Sequence, residues 1–449
     1  MTRDETRNAA KAEAENAVRA VWSIESARLI AGLARRTRDL DLAEELAQDA
    51  LVAALEQWPE SGVPDKPGAW LMTAAKNRGV NQLRRRRLLE RKHAELGHEL
   101  DSRADERREA LDLDAALDDS VGDDLLRLVF IACHPLLSTE ARVALTLRLL
   151  GGLSTPEIAR AFLQPEPTIA QRIVRAKRTL AEANVSFEVP RREELAERLA
   201  SVLEVIYLIF NEGYAATSGQ DSMRPALCED ALRLGRVLAE LVPEEPEVLA
   251  LVALMELHAS RSPARISASG EPILLLEQNR ARWDQILIRR GLAALERAEK
   301  LGGARGRYAL QAAISACHAR AHTANQTDWA QIARIYAELE RIAPSPVVAL
   351  NRAMAVAMAQ GPAAGLALVD ALSSEPTLEN YHLLPSARAD LLAKLGRFDE
   401  ARIEFERAAN LTRNARDRAA LLARAAECGV SKRPNASPGY EGAAPSKPG

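Results

Sequence analysis

A chain of 449 residues is long for one compact domain, and its length predicts two or three. Hydrophobic residues make up 47% but aromatic residues only 4%, a mixture that favours packed helices over sheets, because strands draw on β-branched and aromatic side chains. The formal net charge of -3 arises from 60 basic and 63 acidic residues, so the overall balance gives no sign of a nucleic-acid partner and leaves the local distribution of charge to decide.

Residues 16–58 read as helices. Ile24, Leu29, Ile30 and Leu33 form an apolar stripe. The run from Arg35 to Asp39 breaks it, and a second helix is expected from about Asp41. Its inner side carries Leu42, Leu46, Leu51 and Leu55, and its outer face Glu44, Glu45, Gln48 and Asp49. After the Pro/Gly segment 59–68, a helix from about Ala69 to His93 opens apolar with Trp70, Leu71 and Met72 and then turns basic. From Arg84 to Lys92, six of nine residues are Lys or Arg, and the run Arg84, Arg85, Arg86 and Arg87 covers every face of a helix. A solvated helix end, where the dipole favours cations, explains that run poorly. A surface that neutralises phosphates and releases their counterions explains it better. Residues 99–119 hold nine acidic and three basic residues and read as a linker.

A second small module spans 120–183. Within it, Ser154 or Thr155 can cap a short helix, Pro156 suits the first turn, and Ile158, Ala159 and Phe162 face inward. Residues 163–167 are the turn. A helix from about Thr168 buries Ile169, Ile173, Val174 and Leu180 and exposes Gln171, Arg172, Arg175, Lys177 and Arg178. The pattern is that of a helix-turn-helix with a basic second helix, or of an ordinary helical hairpin. In the first reading, Thr168, Gln171 and Arg172 face base edges, while Arg175, Lys177 and Arg178 meet phosphates.

From Pro190 the chain reads as successive amphipathic helices punctuated by Pro and Gly, as far as 428. Near its end, Gly396, Ala401, Phe405 and Ala408 have the spacing of the second half of a tetratricopeptide repeat, with a glycine turn, two close-approach alanines and an aromatic between them. The residues 429–449 are rich in Pro, Gly, Ser and Ala and are expected to be disordered.

Taken in order, these segments resemble bacterial RNA polymerase sigma factors of the sigma-70 family, extracytoplasmic-function type. The helix containing Glu44, Glu45, Leu46, Gln48 and Asp49 is similar to the one that family sets against core polymerase. Residues 70–87 resemble the helix that engages and melts the -10 element. Trp70, Asn77, Arg78 and Arg84 to Arg87 stand at its matching positions. Residues 138–180 resemble the region that reads the -35 element, with Thr168, Gln171, Arg172, Arg175, Lys177 and Arg178 on its recognition helix. The likeness covers about residues 20–183. Leu163 replaces the usual turn glycine, and Pro165 and Pro167 lie in or beside that turn. The long remainder is similar to a subgroup with a tetratricopeptide-like extension, identified also by 133–138, 162–177 and 211–214. That resemblance implies an extension affecting activity, commonly without a dedicated anti-sigma partner.

The expected architecture is therefore all-α. A polymerase and -10 domain occupies 16–98, an acidic linker 99–119, a helix-turn-helix domain 120–183 and a helical-repeat extension 190–428. The expected partners are core RNA polymerase and promoter DNA, with a regulatory protein or an intramolecular contact through the extension. Catalysis, cofactor, metal and membrane partner are not expected. No phosphate-binding glycine loop, HExxH or GxSxG occurs, and His318 with His322 forms only a weak metal pair. Cys133 and His134 read as core or turn positions, and Gly213 as the end of the helix that carries Asn211 and Glu212. The four scattered cysteines suit the reducing cytosol, and the first residues lack the apolar core of a signal peptide. Two other readings remain at this stage: a helical-repeat interaction scaffold, and a duplex DNA-binding regulator that does not join polymerase.

Overall fold

The computed structural model describes residues 3–77, 121–162, 164–190, 192–214, 223–267, 273–412 and 414–430. The linker 99–119, the arginine run 84–87 and nearly all of the tail lie outside them. Among the described residues the fold is all-α, as the composition predicts. It divides into two compact units, Met1–Gly213 with Pro225–Val248, and Tyr214–Arg224 with Leu249–Gly449.

In the first unit a long helix, α1 (Arg3–Thr37), packs along α2 (Leu40–Ser61). Arg38 takes a positive φ of 52° in the reversal between them. Asp39 caps α2, its carboxylate accepting from the amides of Asp41 at 2.9 Å and Leu42 at 3.0 Å. Small residues let the two helices come close: Ala43, Ala47, Ala50 and Ala54 are wholly buried. The inner stripe therefore follows the alanines and ends on buried Trp58, leaving Leu55 exposed, in contrast to its expected inward position. Ile24 is likewise outside the α1 stripe, 62% exposed. A third helix, α3, covers described residues 67–77. Its Trp70 meets the Trp58 ring edge-on, with centroids 5.5 Å apart.

The same α1 also packs against α4 (Val121–Ala132). Asp124 of α4 binds Arg35 of α1 at 3.3 Å and Arg127 at 2.7 Å. Three helices complete this module: α5 (Thr139–Leu149), α6 (Thr155–Ala161) and α7 (Glu166–Glu182). Next, α8 (Arg192–Tyr214) docks on the loop end of α4. Ser201 donates to the Cys133 carbonyl at 2.6 Å, and Arg198 to the Phe130 carbonyl at 2.8 Å. Cys133 is core, as expected, and burial pushes its thiol pKa up to about 11. Gly213 is the last residue but one of α8, at the end of its described span. A Cβ there would lie 2.6 Å from the Cys228 amide of α9 (Pro225–Leu241), so the glycine is needed for close helix approach.

The second unit is a succession of helices in which neighbours in sequence are neighbours in space. They include α10 (Pro246–Ala259), α11 (Gln285–Lys300), α12 (Arg307–Arg320) and α13 (Trp329–Ile342). Five more follow: α14 (Pro346–Gln360), α15 (Pro362–Ala371), α16 (Leu383–Lys394), α17 (Phe398–Leu411) and α18 (Ala415–Val430). Between α16 and α17, Gly396 adopts a φ of 76°, a turn that favours glycine. Ala401, Phe405 and Ala408 are buried together in one core with Leu391 and Leu392.

Candidate polymerase and promoter interface

The residues read as polymerase-facing lie on α2, but they do not share one environment. Glu45 and Gln48 are exposed, and Asp49 is half-buried. Leu46 is core. Glu44 belongs on the outer face by periodicity, yet it is only 7% exposed. Its carboxylate is taken up by three groups. Lys177 Nζ donates to Oε2 at 2.6 Å, Gln48 Nε2 donates to Oε1 at 3.1 Å, and the Arg148 guanidinium also binds Oε1. Lys177 additionally reaches Asp41 at 2.8 Å. Placing Glu44 on the open face is thus corrected: a second module covers it.

The helix-turn-helix geometry follows from local chemistry. Ser154 caps α6 in a capping box with Glu157, whose carboxylate accepts from the Ser154 amide at 2.8 Å. That bonding lowers the Glu157 carboxyl pKa. Ile158 and Ala159 face inward as expected. The second helix starts at Glu166 rather than Thr168, with Pro165 at its N-cap position and Pro167 in its first turn, where a missing amide costs nothing.

On α7, Thr168, Gln171, Arg175 and Arg178 are exposed and Arg172 is half-buried. These residues form one open edge. Two positions differ from the periodic reading. Val174 is 64% exposed, and Lys177 is 9% exposed because it points into the α2 carboxylates. Lys177 is therefore not available to a phosphate in this arrangement. A cleft of about 780 Å³ flanks the contact, lined by Arg38, Asp41, Arg127, Lys177 and Phe187. Solvent space thus borders the ion pairs on one side.

Of the -10 positions, Trp70 is half-buried against Trp58 and Asn77 is exposed. Arg78 and Arg84 to Arg87 lie outside the described residues. Sequence reasoning missed Arg148 and Asp41. The available signal was charge alone, since Asp41 and Glu44 share a helix face at i and i+3 and so form a dicarboxylate. Among the described residues no group of three or more His, Cys, Asp or Glu side chains is placed to hold a metal. None of the described helices is long and apolar enough to cross a membrane.

Residues 24–88 match sigma-70 region 2, and residues 127–180 match sigma-70 region 4. Both domains are present. Residues 198–299 match a family of unknown function designated DUF6596. The chain is also 44% identical, over 388 residues, to the uncharacterized protein R00370 of Rhizobium meliloti strain 1021. That alignment covers 86% of this chain and 90% of the relative. The chain belongs to the same family as that protein. Within it, α1 to α3 supply region 2 and α4 to α7 region 4. The Glu44–Lys177 ion pair is a contact between the two sigma-70 regions. Sigma-70 domains are binding modules and supply no catalytic group of their own.

Proposed function

We propose that this protein is a sigma factor that joins core RNA polymerase and directs promoter-specific initiation. The observation that carries the reading is the presence of regions 2 and 4, in that order, each offering an open edge of the right chemistry. Glu45 and Gln48 on α2 are exposed for a protein partner, and Thr168, Gln171, Arg175 and Arg178 on α7 for a duplex. Region 2 adds the exposed Asn77 on α3 and the arginine run that follows it in sequence, suited to an unpaired strand and its phosphates. The reaction itself belongs to the polymerase, so the factor needs binding surfaces and no catalytic residues.

In this reading the two regions must part before the factor works fully. Glu44 and Lys177 occupy each other, and each is assigned to a different partner. Full engagement of both partners exchanges an intramolecular ion pair for two intermolecular contacts. The helical remainder, from about residue 190, is assigned a regulatory or positioning role as a tetratricopeptide-like extension.

In vitro transcription with the cognate core enzyme and a promoter library tests the proposal. Stable holoenzyme and initiation from a defined promoter class are expected. Failure to form holoenzyme at any salt concentration would overturn it. Duplex binding without polymerase binding would instead establish a conventional regulator, and neither activity an interaction scaffold.

A further inference from the structure

The second unit contains a concentration of basic and aromatic side chains that the initiation-factor reading does not use. Arg261 follows the end of α10, and Arg265 follows the single 3₁₀ turn Ser262–Ala264. Both are half-buried. The Arg265 guanidinium lies 3.7 Å above the Tyr214 ring and donates to the Tyr214 main-chain oxygen. Arg261 stands 5.9 Å from the Tyr214 ring centre and 5.8 Å from that of Trp283. Arg280 lies over the same Trp283 ring, 5.0 Å from its centre. Arg280 is tied to its surroundings through Nη1 and Nη2: it donates at 2.8 Å to the carbonyls of His318 and Ala321 and to the Thr327 hydroxyl, while its buried Nε has no partner among the described residues.

Two features distinguish this cluster from ordinary core. First, among the described residues none of these three guanidinium groups has a carboxylate within ion-pair distance. Asp417 senses the Arg265 charge only at longer range. Three cations held together with no counter-charge among the described residues repel one another, and burial first, then that repulsion, lowers the pKa values of Arg261 and Arg280. The neighbouring imidazoles cannot add to the charge: burial and the adjacent arginines drive His258 and His318 down to about 3. Second, buried polar atoms lacking a hydrogen-bond partner among the described residues gather here. They include Arg261 Nε, Trp283 Nε1 and His318 Nδ1, although Trp283 and His318 are more than nine-tenths buried. Native structures rarely leave such atoms unmatched without a ligand or ion to meet them.

We infer that the second unit binds a small molecule through an oxyanion group, carboxylate or phosphate, at Arg261 and Arg265. The aromatic rings hold the flat faces of the guanidinium groups. That leaves the in-plane N–H donors not already given to Tyr214 for a two-pronged anion, the geometry for which arginine is suited. An anion there supplies the missing counter-charge and offsets the repulsion. Most of the cluster lies in the 198–299 segment that matches a family of unknown function. The inference stands whether or not the chain proves to be an initiation factor.

Thermal unfolding of the full chain in inorganic phosphate or succinate, against sodium chloride of matched ionic strength, tests it. One of the two anions is expected to raise Tm by about 3 °C or more at saturating concentration. The one that acts tells phosphate from carboxylate. Hydrogen exchange on the unaltered chain should show protection of the peptides containing Arg261 and Arg280 on addition of that anion. The charge-conserving variants Arg261→Lys and Arg265→Lys should each weaken binding about ten-fold through loss of the forked donor. No Tm difference from chloride, protection confined to other segments, or unaltered affinity in both variants would overturn the assignment.

Discussion

Lys177 and Glu44 are 133 residues apart in sequence and 2.6 Å apart in the fold. One belongs to the helix of region 4 whose open edge is proposed to read a duplex, the other to the helix of region 2 proposed to face polymerase. Burying such a pair stabilises little by itself, because desolvation consumes most of the Coulomb gain. Removing one partner is costly, since it strands the other charge. The contact is thus better suited to defining one arrangement of the two regions than to holding the protein together.

Lys177→Ala should consequently loosen region 4 from region 2. If the contact competes with polymerase, affinity for core enzyme should rise about five-fold, the equivalent of ~1 kcal/mol. The swap Glu44→Lys with Lys177→Glu should restore the closed arrangement. Fluorescence anisotropy of labelled factor against core polymerase reads the first effect, and energy transfer between labels on α2 and α7 the second. Equal affinity of wild type and Lys177→Ala would show that the ion pair does not gate assembly.

The two faces of region 2 should separate in function. Glu45→Ala with Asp49→Ala is expected to weaken polymerase binding while sparing the DNA surfaces. Arg84→Ala with Arg85→Ala should slow open-complex formation more than it weakens polymerase binding. Permanganate footprinting of the melted strand, beside a core-binding assay on the same variants, makes the comparison. Parallel loss of both activities in both variants would remove the assignment.

On α7, Arg175 and Gln171 should differ in kind. Arg175→Ala should weaken duplex binding across all sequences and lower the slope of log K against log salt by about 1, as expected for one lost phosphate contact. Gln171→Ala should instead relax preference at one base pair, by about 1–3 kcal/mol. Titrations at several salt concentrations with matched and mismatched -35 sequences distinguish them.

Two packing predictions concern stability. Gly213→Ala places a Cβ 2.6 Å from the Cys228 amide and should destabilise the first unit by about 1–3 kcal/mol through forced separation of α8 and α9. Trp58→Ala removes a buried ring and its edge-on contact with Trp70 and should cost about 3–5 kcal/mol. Denaturant melts followed by circular dichroism would measure both. Values under about 0.5 kcal/mol would contradict the packing described.

Acid should act on the second unit through its histidines. His318 has a folded pKa of about 3, well below its ordinary value of 6.5, because burial and the adjacent arginines disfavour its charged form. The unfolded chain therefore binds the proton more readily, and stability declines as pH falls below about 6.5 toward 3. His318→Gln should flatten that decline. In an NMR titration the wild-type His318 ring signal should stay constant from about pH 7.5 to pH 5, and a midpoint near 6.5 would refute its burial.

Much of the first unit was legible because its signals are local. Ser154 and Glu157 form their capping box within one turn, and Pro156 suits the place it occupies whatever packs nearby. The order of acidic helix, Trp-led basic helix and helix-turn-helix likewise needs only the sequence. Side-chain periodicity also identified most buried positions of α6 and α7, since one helix face follows from a repeat of 3.6 residues.

What the sequence alone determined was therefore the all-α class, the local caps and turns, and the likeness to regions 2 and 4. Tertiary structure decided which charged side chains meet. Periodicity puts Glu44 and Lys177 on outer faces because it cannot see a second helix covering the first. The residues from Tyr214 to His318 look unrelated along the chain, and only folding stacks Arg265 on Tyr214 and Arg261 beside Trp283. Electrostatic energy depends on distance in space and on exclusion of water. Both are properties of the packed molecule, and neither is written in the spacing of residues.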